Sequence, residues 1–166
     1  MEDQSGRLII LTPEEMAEAM LIGTLRQAVN LLLGYPDRTD RTGRRPGWWG
    51  SLQVNVAGAI AEKAVARYHQ APWVPLRPPG HYKDTPDVAG LEVRHTKYAT
   101  GHLVLAEGVD PPDRLYALVT GTPPEVRYHG WIGGTEARRD EWLDPATRAP
   151  RRKWWVPQDA LYGPPG

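Results

Sequence analysis

The sequence predicts an α/β fold in one compact domain. Three observations predict it: two long stretches with helical periodicity come first, a series of short strand-like stretches follows, and Gly-, Pro- and Asp-rich turns punctuate the second half. At 166 residues the chain fits a single domain with room for a sizeable core. Within it, residues 1–50 read as an N-terminal helix and an Arg-rich loop, residues 51–157 as the core and residues 158–166 as a tail.

The first helix starts at Thr12-Pro13-Glu14-Glu15, where a capping hydroxyl, a proline at the first helical position and a glutamate three residues after the cap coincide. Ala17, Leu21, Leu25, Ala28 and Leu32 follow one face up to Gly34, and the helix reads as a packing element. Residues 35–50 break into Asp, Arg, Gly, Pro and Thr and read as a long loop that carries Arg41, Arg44 and Arg45 ahead of Trp48-Trp49. A second helix over residues 52–69 places Asn55, Gly58, Ala59, Glu62 and Ala66 on a face of mostly small residues. Another element can approach such a face closely, so Glu62 need not be a solvated charge.

After a proline-rich connection, strands are expected at residues 87–98, 102–106, 114–120 and 125–132, arranged as a meander. Thr135 is expected to cap a short helix through residue 143, and Trp154-Trp155-Val156 to add a last strand.

Formal net charge is zero, with 20 basic and 20 acidic residues, so any surface for a polyanion must be a local patch. Cysteine is absent, which excludes a disulfide framework, a thiolate metal site and a cysteine nucleophile. The apolar run at residues 8–11 is too short for a signal peptide or a membrane span, so no membrane association is expected and a cytoplasmic setting is the default.

The stretch that carries chemistry is Pro86-Asp87-Val88-Ala89-Gly90-Leu91-Glu92-Val93-Arg94. Period-two alternation sends Glu92 and Arg94 to one face and Val93 to the other. The bend at Ala89-Gly90 can fold Asp87 back toward Glu92, so that two acids could share one divalent ion. The plain alternative is a turn-capping Asp87 with an exposed Glu92–Arg94 ion pair.

A helix with Glu62, then Pro86-Asp87, then Glu92-Val93-Arg94 on a strand resembles the PD-(D/E)XK nuclease superfamily, and the string Gly130-Trp131-Ile132-Gly133-Gly134 resembles strings in that superfamily's small phage-type members. The resemblance implies a restriction-endonuclease-like core, a mixed β-sheet flanked by helices, with the N-terminal helix as an addition. It implies that Asp87 and Glu92 bind Mg²⁺ or Mn²⁺ with the Val93 carbonyl as a further ligand, Glu62 assisting from the helix, and Arg94 in place of the superfamily's lysine. Arginine keeps the charge and can clamp a phosphate oxygen, but it cannot deprotonate to act as a base. Lys97, at an odd offset from Glu92, falls on the wrong face to replace it.

Two basic clusters adjoin tryptophan pairs: Arg41, Arg44 and Arg45 before Trp48-Trp49, and Arg151, Arg152 and Lys153 before Trp154-Trp155. Phosphate tracking and base stacking need such groups, while buried tryptophans covered by arginine stems are the structural alternative. Of the histidines, His95 and His102 flank a turn and could face each other across a hairpin, and no helical zinc pattern occurs.

The expected function is therefore a metal-dependent DNA nuclease. The alternative is a non-catalytic nucleic-acid-binding module on the same fold, and a third class is an interaction protein with ordinary surface charges. A homodimer formed through the first helix is compatible with the sequence, although amphipathic helices more often pack within their own chain.

Overall fold

A computed structural model describes residues 6–34, 47–76 and 85–164. Arg41, Arg44 and Arg45, with most of the expected Arg-rich loop, lie outside the described residues.

A short strand, β1 (Arg7–Ile10), leads into helix α1 (Pro13–Leu32). The helix starts as its sequence dictates: Thr12 accepts from the Glu15 amide at 3.2 Å, and Glu15 accepts from the Thr12 amide at 2.8 Å. Helix α2 (Gly47–His69) packs against α1 over its length. It begins earlier than expected, so Trp48 and Trp49 belong to its first turn instead of to a loop.

The contact between the helices overturns the expected face of α1. Ala17, Leu21, Leu25, Ala28 and Leu32 point outward, and Ala19, Ile22, Gly23 and Gln27 are buried instead. The reason is closeness of approach. A Cβ built on Gly23 would meet Val56 Cα at 2.4 Å, so the backbones touch where α1 carries no side chain. Gln27 then reaches Asn55, which donates to its side chain at 2.8 Å.

Strands β2 (Leu91–Thr96), β4 (Leu115–Thr120) and β5 (Glu125–Gly133) join β1 in a four-stranded mixed sheet of order β1-β5-β4-β2, with β2 and β4 parallel and the other pairs antiparallel. Strand β3 (Leu103–Ala106) leaves this sheet and pairs with β6 (Lys153–Val156) in a second sheet. The expected meander is thus corrected: β3 lies between β2 and β4 in the chain but not in space, and β2 reaches β4 by a crossover. His95 and His102 consequently do not face each other. His95 hydrogen-bonds the Gly121 carbonyl at 2.9 Å, and the ring of His102 lies 6.0 Å from that of Trp155.

Alternation along the strands divides the molecule into three layers. Leu91, Val93, Ala117, Val119, Val126 and Tyr128 face the helices and form one core with Ala61, Ala64 and Val65 of α2. Tyr116, Leu118 and Ile132 face the other way and form a second core with Leu103, Leu105 and Val156 of the small sheet. The helix expected from Thr135 is replaced by turns and a 3₁₀ segment at Asp140–Trp142, and the Thr135 hydroxyl donates to the Pro112 carbonyl. The expected last strand is present as β6, with Trp154 buried.

Candidate functional site

The approach to β2 is a tight turn. Val88 and Leu91 exchange backbone hydrogen bonds, and Ala89 and Gly90 between them both have positive φ, 51° and 81°. The turn swings Asp87 back along the strand as its sequence suggests, but onto the backbone: Asp87 Oδ2 accepts from the Val93 amide at 2.9 Å. The carboxyl is thereby fixed beside the strand that carries Glu92. Burial, and then the charges of Glu62 and Glu92, push its pKa up from 3.8 to about 6.

Glu92 is buried and lies on the small-sheet face of β2, because it pairs in register with Tyr116, a residue of the second core. One of its oxygens accepts from Arg114 Nη1, and the other lies 3.9 Å from Arg94 Nη1. Arg94 shares the face, as alternation predicts, with its guanidinium 5.5 Å from the centre of the Tyr116 ring. Its strongest partner is Asp110, whose Oδ1 accepts from Nη2 at 2.6 Å. Asp110 is itself anchored by the Ala106 amide, which donates to Oδ2 at 2.7 Å. Burial works against the charge on Arg94, but Asp110, with Asp87 and Glu92 behind it, outweighs burial and holds the guanidinium above its ordinary pKa. The Val93 carbonyl, the other expected ligand, receives a long bond of 3.4 Å from Arg94 Nη1.

Glu62 is buried, as the small-residue face of α2 implies, but it stands among the helices. Arg26 of α1 binds it in a fork, 2.7 Å to each oxygen, and Trp73 Nε1 donates to Oε2 at 3.1 Å. Arg26 also donates to the Pro75 carbonyl at 2.8 Å, tying the connection after α2 to the helical layer. Glu62 and Glu92 therefore approach from opposite sides of the sheet, with Asp87 between them at its edge. Among the described residues, no three His, Cys, Asp or Glu side chains lie close enough to hold one metal ion. The gathering of three acids expected from the sequence is replaced by a neighbouring pair, Asp87 and Glu92, with Glu62 acting on Asp87 through its charge. Lys97 is elsewhere, over the ring of Tyr98 at 5.3 Å.

No family model, curated protein or solved structure matches the chain.

Arg114, Asp110 and Arg26 were not legible as site residues in the sequence. Each acts by pairing with a charge distant along the chain, and the parallel β2–β4 register that brings Arg114 to Glu92 has no local signature. The C-terminal basic cluster is at the surface. Arg151 is exposed, Arg152 forms an ion pair with Glu107 at 2.6 Å, and Lys153 is half-buried on β6. Arg138 and Arg152 both cover the ring of buried Trp154, at 5.2 and 5.8 Å, so this tryptophan is structural. Trp48 and Trp49 are both exposed, with ring centres 5.4 Å apart, so the alternative of buried tryptophans does not describe this pair.

Proposed function

We propose that the chain is a metal-dependent nuclease that hydrolyses phosphodiester bonds in DNA, on a restriction-endonuclease-like arrangement of helix, turn and strand. The observation that supports this reading is the position of Asp87. A turn with two left-handed residues fixes its carboxyl against β2, near Glu92 and partly buried, where the two negative charges disfavour each other. A divalent cation relieves that repulsion. The donor set of two carboxylates and the Val93 carbonyl suits Mg²⁺ or Mn²⁺, hard ions that prefer oxygen.

In this reading Asp87 and Glu92 hold the ion, and Glu62, whose oxygens are engaged by Arg26 and Trp73, makes the site more attractive to a cation through its charge. The ion supplies Lewis-acid polarisation of the phosphate and a bound water of lowered pKa. Arg94 holds a non-bridging phosphate oxygen and stabilises the charge that builds on it, while Asp110 fixes the direction of its guanidinium. Arg94 does not act as a base. Arg151, Arg152 and Lys153, together with Arg41, Arg44 and Arg45, contribute cations for the DNA backbone. DNA and free Mg²⁺ meet in a cytoplasm, and the activity belongs there. Among the described residues, no helix is long and apolar enough to cross a membrane.

A second reading, a nucleic-acid-binding module without catalysis, is favoured by the hold of Arg114 and Arg94 on Glu92, which already offsets its charge. One experiment separates the two. Supercoiled and linear DNA are incubated with the protein in Mg²⁺, Mn²⁺ or EDTA. Cleavage that EDTA stops, that falls at least 100-fold in Glu92→Gln and that persists in Arg94→Lys supports the nuclease. DNA binding that ignores EDTA and Glu92→Gln, without cleavage, overturns it in favour of the binding module.

A further inference from the structure

Helix α1 packs on α2 with one face and leaves the other outward. Ala17, Leu21, Thr24, Leu25, Ala28 and Leu32 run along that outward face, all exposed, with the exposed Glu14 and Glu18 bordering it near the N-terminal end. Leu21 and Leu32 are 61% and 85% exposed, far more than leucines in a finished surface need to be. The seam Leu21, Leu25, Ala28, Leu32 advances by four, three and four residues, the spacing by which one helix packs along another.

The order of large and small residues says what the other helix is. Read forward, the face runs Ala17, Leu21, Thr24; read backward, it runs Leu32, Ala28, Leu25. Two copies laid antiparallel about a two-fold axis between Thr24 and Leu25 set Ala17 against Leu32, Leu21 against Ala28 and Thr24 against Leu25. Every leucine of the seam meets a small side chain, so knobs and holes match without repacking. A parallel pair would set leucine on leucine and leave a gap between alanines. A membrane surface is a poorer match, because the last turn of α1 has no basic residue and Arg26 is turned inward to Glu62. We propose that this face joins two copies of the chain as an antiparallel, two-fold symmetric helix pair. The inference does not depend on the nuclease reading.

A helix of this length is about 30 Å long, and one helix pair buries less than the roughly 800 Å² per partner of a standard interface. Such an interface falls in the weak, transient class, so the dimer is expected at high protein concentration. Sedimentation of the full chain at about 100 μM should therefore give twice the 18.5 kDa chain mass. Leu21→Glu combined with Leu25→Glu should return it to the single-chain mass with the same helical circular dichroism, since both side chains are exposed. The register has its own test, because the chain contains no cysteine. A mixture of Leu21→Cys and Ala28→Cys chains should cross-link to each other through a short bis-maleimide in preference to each cross-linking with its own kind. A single-chain mass for the wild type at that concentration, a dimer that survives the double glutamate variant, or preferential Leu21→Cys self-linkage would each overturn the proposal.

Discussion

Asp87 is the residue at which fold and chemistry pull in different directions. Its carboxyl has an ordinary pKa of 3.8 in an unfolded chain and about 6 in the folded one. Between those values the folded chain binds the extra proton, so the stability it contributes is complete below the lower value and is lost as pH rises through the upper one. Asp87→Asn should accordingly melt at a higher temperature than the wild type at pH 8 and at nearly the same temperature at pH 3.5, as read by circular dichroism. Binding of Mn²⁺ to the wild type, followed by its electron paramagnetic resonance, should weaken as pH falls through about 6, when a proton displaces the cation. Glu62 presents the opposite case, because its charge is matched. Arg26→Ala should cost about 3–5 kcal/mol in urea unfolding, the usual loss when one member of a buried pair is left alone. Asp87, Glu92 and Arg94 were legible from local pattern, since a turn and a two-residue repeat decide where they point. Their partners Asp110, Arg114 and Arg26 were not, because no local rule selects one arginine among many.

At the scale of elements, α1 shows the limit of periodicity. The three-and-four spacing locates an apolar face, and α1 has such a face, but the spacing does not say whether the chain itself covers it. Gly23 decides the matter by letting α2 come closer on the other side than any leucine would allow. Gly23→Ala should destabilise the chain by about 1–3 kcal/mol, because its Cβ would meet the backbone of Val56 and neither helix can yield locally; thermal melting checks this. The capping box at Thr12 and the strands β3 to β6, by contrast, stood in the sequence almost residue for residue, since caps, turns and alternation are properties of neighbours, whereas β2 is half the length expected because residues 87–90 are taken up by the tight turn. Strand β1 was missed: four residues with one buried side chain carry too little pattern, and their partner is β5, far along the chain.

At the scale of the molecule, the three layers follow from one departure, that of β3 from the main sheet. Turn chemistry locates strands but does not choose their partners, so the sequence reads equally well as a meander and as two sheets. What chooses is burial: Leu103 and Leu105 of β3 are fully covered only between the main sheet and Val156 of β6. The layering also puts Glu62 and Glu92 on opposite sides of a sheet, a separation that no spacing in the sequence expresses.

The stitching of β5 has a consequence for how the chain is made. Its outer partner β1 lies at the beginning of the described chain, and near its far end Trp131 exchanges backbone hydrogen bonds of 3.0 and 2.9 Å with Tyr162, close to the last described residue. The pairing around the strand between them cannot be completed until Tyr162 has been made. The nascent polypeptide should thus gain its protease resistance abruptly once Tyr162 has emerged from the ribosome, not piecemeal before that point.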